Sequence, residues 1–155
     1  MKFFFYGTLI EPEILHAVLR RPVARAQRRN AVLHGYRRVH RRGASYPVIV
    51  AGAASEVEGI VVSELTTRDV ILLRAYEGPE YIVDERSVRL SGDGFVRAKA
   101  FLPCGTYEAS HVPWTLEEWR RRYAHTFAEP LLRHRRAASA NQAACPITGG
   151  NGRSG

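Results

Sequence analysis

The chain opens with four consecutive aromatic residues, Phe3-Phe4-Phe5-Tyr6, that stop at Gly7. Such a run has high strand propensity, and the glycine ends it. Pro12 follows where the first turn of a helix tolerates a missing N–H, and Ile14, Leu15, Val18 and Leu19 then recur at helical spacing. The N-terminal segment therefore predicts a strand, a tight loop and a helix in direct succession.

Further along, residues 31–40, 46–50 and 57–62 read as strands, with an Arg-Arg-Gly-Ala turn at 41–44. Thr66 followed by Asp69 predicts a helix N-cap with an acidic first turn, and Gly78-Pro79 stops that helix. Residues 80–90 and 95–102 read as strands joined through Ser91-Gly92-Asp93-Gly94. Thr115-Leu116-Glu117-Glu118 is a capping box flanked by Trp114 and Trp119, and Leu116, Trp119, Tyr123 and Phe127 then share one helical face. The order of short strands and interspersed helices predicts an α+β fold: a small, mixed, mostly antiparallel β-barrel with flanking helices. From about Ala137 the chain is rich in Ala, Ser, Asn and Gly without apolar periodicity, so the expected division is a domain over 1–136 and a flexible tail over 137–155.

At 155 residues the chain is the size of one domain with one real core. The apolar N-terminal run is too short for a secretory segment, and no window reaches the ~18 apolar residues of a membrane span. Two cysteines, Cys104 and Cys145, do not resemble a disulfide framework, so a reducing, cytoplasmic location is the expectation. The net charge of +8 is almost all arginine, with nine arginines crowded into residues 20–42. They are scattered between strand-like segments with no base-reading motif, which favours a solvated surface over a nucleic-acid interface.

Common catalytic signatures are missing: no Gly-x-Ser-x-Gly elbow, no Walker A loop, no Gly-x-Gly-x-x-Gly. The six histidines lack metal-ligand spacing, so a metal site is not expected. What remains are two local features. Tyr6-Gly7-Thr8-Leu9 sits between strand and helix, where a glycine lets the backbone approach a ligand and successive amides suit a carboxylate. Tyr76-Glu77-Gly78-Pro79-Glu80-Tyr81 places a carboxyl group among aromatic neighbours at a helix end, where desolvation would raise its pKa toward proton-transfer duty at neutral pH.

With these two motifs at their ends, Pro12-Glu13-Ile14-Leu15, Arg20, Gly35-Tyr36-Arg37, Tyr46-Pro47-Val48-Ile49, Val57-Glu58-Gly59 and Leu73-Arg74-Ala75-Tyr76-Glu77-Gly78-Pro79-Glu80-Tyr81 follow in order. The whole series, over residues 3 to about 128, resembles the gamma-glutamylcyclotransferase superfamily, particularly its AIG2-like and gamma-glutamylamine cyclotransferase branch. Two positions depart from the pattern: Arg74 replaces an aspartate, and Phe101 stands where many members have a tyrosine. The resemblance implies a cofactor-independent enzyme that cyclises a small gamma-glutamyl amine or peptide to 5-oxoproline, with Glu77 as general acid and base. It also implies substrate binding by Tyr6, Gly7, Thr8 and Leu9, with Tyr46 and Tyr81 as pocket walls. Glu80 is the rival base, expected to point elsewhere because it starts a strand. A module that binds the gamma-glutamyl ligand without turnover is the alternative, and nucleic-acid binding is a more distant one.

Overall fold

The computed structural model describes residues 1–92, 94–105 and 107–123. Its strands are β1 (Phe3–Phe5), β2 (Arg28–Arg41), β3 (Pro47–Val62), β4 (Tyr81–Leu90), β5 (Phe95–Pro103) and β6 (Ala109–Pro113). Its helices are α1 (Pro12–Leu19), α2 (Thr67–Glu77) and α3 (Leu116–Tyr123). The sheet order is β3-β1-β5-β4-β2-β6, and an additional β3–β2 pairing closes the first five strands into a barrel. All pairings are antiparallel except β1 with β5. This is the mixed α+β barrel that the sequence predicts.

β1 is short because it is hemmed in on every side. Phe3 to Phe5 run antiparallel to Val62 through Ile60 on one edge, and Phe3 and Phe4 lie parallel to Lys99 and Ala100 on the other. Alternation sends its side chains to two cores. Phe4 and Tyr6 join Leu33, Ile49, Val61, Val88, Ala100 and Leu102 inside the barrel. Phe3 and Phe5 join Leu15, Leu19, Leu73, Trp114 and Trp119, where the helices cover the outer face. An apolar run without polar alternation is what a strand covered on both faces requires.

Two details depart from the sequence expectations. Segments 46–50 and 57–62 belong to one continuous strand, β3, which stays paired with β2 across a register shift between His34 and Tyr36. Gly35 occupies that shift at φ +84°, a conformation that side chains disfavour. β6 was not foreseen; it adds to the far end of β2 through Val39 and Arg41. The expected continuation of α3 through Phe127 and the boundary at 136/137 fall outside the described residues. Among the described residues no helix is long and apolar enough to cross a membrane.

α1 and α2 are tied together by Asp69. Its carboxylate accepts from Arg21 Nε at 3.0 Å and Nη2 at 2.7 Å, and from the Thr66 amide at 2.8 Å, while Thr66 Oγ1 accepts from the Asp69 amide at 3.2 Å. The Arg21 bond, against burial and with the Thr66 bonds, holds the carboxyl down to about 2 from an ordinary 3.8. A depressed folded pKa stabilises above the unfolded value and is lost as pH falls through the folded one. Asp69→Asn should therefore cost about 2 kcal/mol at pH 7. In urea titrations the gap between variant and wild type should close between pH 4 and pH 2; a gap unchanged over that range would refute the assignment.

Candidate active site

At the rim where the two cores meet, the chain leaves β1 through Gly7 into a single 3₁₀ turn, Thr8–Ile10, and then α1. The Ile10 amide donates to the Gly7 carbonyl at 3.1 Å and the Glu11 amide to the Thr8 carbonyl at 3.0 Å. The amides of Gly7, Thr8 and Leu9 find no acceptor among the described residues. Gly7 has φ −114°, outside the left-handed range that favours glycine. Its missing side chain leaves space instead: a Cβ there would project to 3.5 Å from the Pro47 ring.

The loop is fastened by side chains from distant segments. Tyr6 Oη donates to the Phe101 carbonyl at 2.6 Å, Arg38 Nη1 donates to the Tyr6 carbonyl at 2.7 Å, and Thr8 Oγ1 shares a 3.0 Å hydrogen bond with Tyr76 Oη. Below it, Glu11 is buried and accepts from Arg120 Nε of α3 at 2.7 Å. Such cross-links hold backbone donors in place before any ligand arrives.

Glu77 is the last residue of α2, and Gly78 caps the helix at φ +84°, its amide donating to the Arg74 carbonyl at 3.0 Å. The glycine turns the chain away at once, so Glu77 faces inward between Tyr76 and Tyr81, both buried. The residue is half-buried and lines the cavity. Burial, and secondarily the charge of Glu80, pushes its carboxyl up to about 8 from 4.5. The negative end of α2 acts in the same direction.

One cavity collects these groups. It is lined by Gly7, Thr8 and Leu9 on one side, Tyr76 and Glu77 on another, and Tyr46, Pro47, Tyr81 and Phe101 as walls. The space open to the centres of water-sized molecules is ≈ 30 Å³, within an indentation of ≈ 400 Å³. That is room for about two waters, a close-fitting slot rather than an open groove. Burial raises the Tyr6, Tyr76 and Tyr81 hydroxyls above their usual value, so they are neutral donors at physiological pH.

Glu80 lies just beyond this lining. Arg41 Nη1 sits 2.7 Å from Glu80 Oε1 and donates to Tyr46 Oη at 3.0 Å, while Arg41 Nη2 donates to Glu80 Oε2 at 2.8 Å. Tyr46 Oη in turn donates to Glu80 Oε1 at 3.5 Å. Glu80 is thus a paired carboxylate that fixes the Tyr46 wall, while Glu77 is the one carboxyl among the described lining residues.

The structure brings all seven residues singled out in the sequence, Tyr6, Gly7, Thr8, Leu9, Tyr46, Glu77 and Tyr81, to this cavity. Tyr6 contributes its ring, its hydroxyl being engaged by Phe101. Phe101 itself lines the cavity with no hydroxyl to offer. Sequence reasoning missed Tyr76, although it adjoins Glu77 in the motif, and it missed Arg38 and Arg41, whose partners are distant in sequence. Among the described residues no group of three or more His, Cys, Asp or Glu side chains converges as a metal site. Cys145 lies outside the described residues.

The fold has counterparts among known proteins. Residues 3–121 match the model of the family described as gamma-glutamyl cyclotransferase, AIG2-like. Protein AIG2 C of Arabidopsis thaliana is 30% identical over 128 residues, covering 81% of this chain and 76% of that protein. An Arabidopsis thaliana protein solved in solution superposes with a TM-score of 0.65 at 25% identity, covering 90% of this chain and 84% of its own. A structure named gamma-glutamyl cyclotransferase superposes at TM-score 0.60, with 16% identity over 96% of this chain and 90% of that one, a likeness of fold. The chain belongs to the gamma-glutamyl cyclotransferase, AIG2-like family.

Proposed function

We propose that this protein cyclises a gamma-glutamyl amine or peptide to 5-oxoproline and releases the amine, with Glu77 carrying the proton. The observation that supports this most is the meeting of one desolvated carboxyl, Glu77, with the amides of Gly7, Thr8 and Leu9 across a narrow cavity. The substrate brings its own nucleophile. Its α-amino nitrogen attacks the γ-carbonyl carbon, a five-membered ring closes, and the bond to the leaving amine breaks. No water is consumed.

The chain's residues have three tasks in that sequence. The loop amides hold the α-carboxylate, and the aromatic walls fold the substrate so that amine and carbonyl meet; well-oriented cyclisations reach effective molarities of about 10⁵–10⁸ M. Glu77 takes the proton that the α-ammonium loses and returns it to the departing nitrogen. The raised pKa, about 8, makes Glu77 a stronger base than an ordinary carboxylate and brings it nearer to the amine whose proton it takes.

The direct test is to incubate the protein with a panel of gamma-glutamyl amines, gamma-glutamyl dipeptides and glutathione, and to follow 5-oxoproline by mass spectrometry. Stoichiometric 5-oxoproline and free amine from at least one member are expected. Ligand binding without product would favour a silent gamma-glutamyl-binding module, and neither binding nor product across the panel would remove the reading.

A further inference from the structure

A positive charge sits behind the Tyr6–Gly7 peptide. Arg38, on β2, donates from Nη1 to the Tyr6 carbonyl at 2.7 Å and to the Glu58 carbonyl at 3.2 Å, and from Nε to the Trp114 carbonyl at 3.2 Å. Its guanidinium lies 5.0 Å from the centre of the Trp114 ring. None of these acceptors is a carboxylate. Burial lowers the Arg38 pKa and the charge of Glu58 opposes that, but a guanidinium keeps its proton in any case.

In a trans peptide the C=O and N–H bonds point in opposite directions, and this chain has no cis peptide bonds among its described residues. A cation bound to the Tyr6 oxygen therefore turns the Gly7 N–H to the other side. Gly7 lines the cavity, and its N–H has no acceptor among the described residues. Drawing electron density toward the carbonyl oxygen also strengthens the donor at the far end of the same amide. Arg38 itself is not among the cavity's lining residues.

We propose that Arg38 is a positioning residue for an anion subsite: acting through the Tyr6–Gly7 peptide, it orients and polarises the Gly7 amide toward the substrate's α-carboxylate. The proposal rests on the reading of residues 7–9 as the carboxylate-holding element. It assigns to β2 a part in ligand recognition that no side chain in the cavity reveals. Arginine suits the task because its planar fork spans several carbonyls and delivers charge along a fixed direction, which a lysine does only as a point charge.

The test compares binding of two probes, 5-oxoproline and its uncharged carboxamide, by titration calorimetry to the wild-type chain and to Arg38→Lys, Arg38→Gln and Arg38→Met. The wild type should prefer the carboxylate. That preference should fall about tenfold in the Gln and Met variants, the usual worth of a hydrogen bond to a charged group, and be largely retained by Lys. With a turned-over substrate, KM should rise while kcat changes little. A loss of folded protein alone would lower apparent kcat and leave both KM and the probe preference unmoved. Should Arg38→Met fail to fold, the ranking of Lys against Gln, which still donates to the Tyr6 carbonyl without charge, decides the matter. An undiminished preference in the uncharged variants overturns the role of Arg38 and leaves the loop reading intact. No preference in the wild type overturns the loop reading, and the role of Arg38 with it.

Discussion

Replacing Glu77 by glutamine should lower turnover by roughly 10²–10⁴, the worth of a positioned acid/base, while ligand affinity and fold persist. The amide is nearly isosteric but cannot accept the ammonium proton. In the wild type, kcat/KM should rise with pH through an ionisation near 8, because Glu77 must be charged to act as base. Stability should move the opposite way. A carboxyl whose folded pKa is raised from 4.5 to about 8 keeps its proton where the unfolded chain has lost it, so the wild type weakens as pH climbs between these values. Glu77→Gln escapes that cost and should melt above the wild type at pH 9 but level with it at pH 4. Glu80→Gln should lose far less activity, since that carboxylate is already paired with Arg41; removing its charge should also lower the Glu77 ionisation. Activity that survives Glu77→Gln and vanishes in Glu80→Gln would transfer the role to Glu80.

The largest structural effect is expected from a single methyl group. A Cβ at Gly59 would lie 2.2 Å from the Phe5 carbonyl oxygen and 2.7 Å from the Phe4 ring. The first contact is backbone, so no rotamer change relieves it, and β1 must move away from β3. Gly59→Ala should destabilise by about 3–5 kcal/mol, at the severe end for one substitution. Because Phe5 leads directly into the loop, any folded fraction should also bind ligand poorly. Gly7→Ala is the instructive contrast: its Cβ would make only ordinary contact with Pro47, so melting should barely change while the methyl occupies the cavity wall and impairs binding. Thermal or urea melts within about 1 kcal/mol of wild type for Gly59→Ala would contradict the packing described here.

How far the sequence disclosed this arrangement follows from the range of the interactions. β1, the tight turn, α1 and the α2 cap are set by neighbours within a few residues, and their apolar spacing, Pro12 and the Thr66–Asp69 pair announced them. Glu77 was legible because carboxyl, glycine cap and flanking tyrosines are contiguous. Arg21 on Asp69, Arg38 on Tyr6 and Arg41 on Glu80 were not, since each joins segments whose proximity the barrel creates. In a chain crowded with arginines, nothing local separates those that bind a carbonyl from those that meet solvent. The continuity of β3 was hidden for a related reason: its middle, Ala51 to Glu56, is mostly exposed and lacks the apolar signal of a buried strand.

The position of β1 between β3 and β5 has a bearing on how the chain is made. Once synthesised, β1 finds its parallel partner only at Lys99 and Ala100, roughly a hundred residues later in the chain. At ~5–20 residues per second that interval lasts roughly 5–20 s. Throughout it, Phe3-Phe4-Phe5 has at most one edge satisfied, by β3. A nascent chain halted before β5 would carry an unshielded aromatic strand and an unfinished cavity, an aggregation hazard with no activity. Synthesis slowed within β4, or a truncation before Phe95, should therefore yield insoluble material rather than a weakly active fragment.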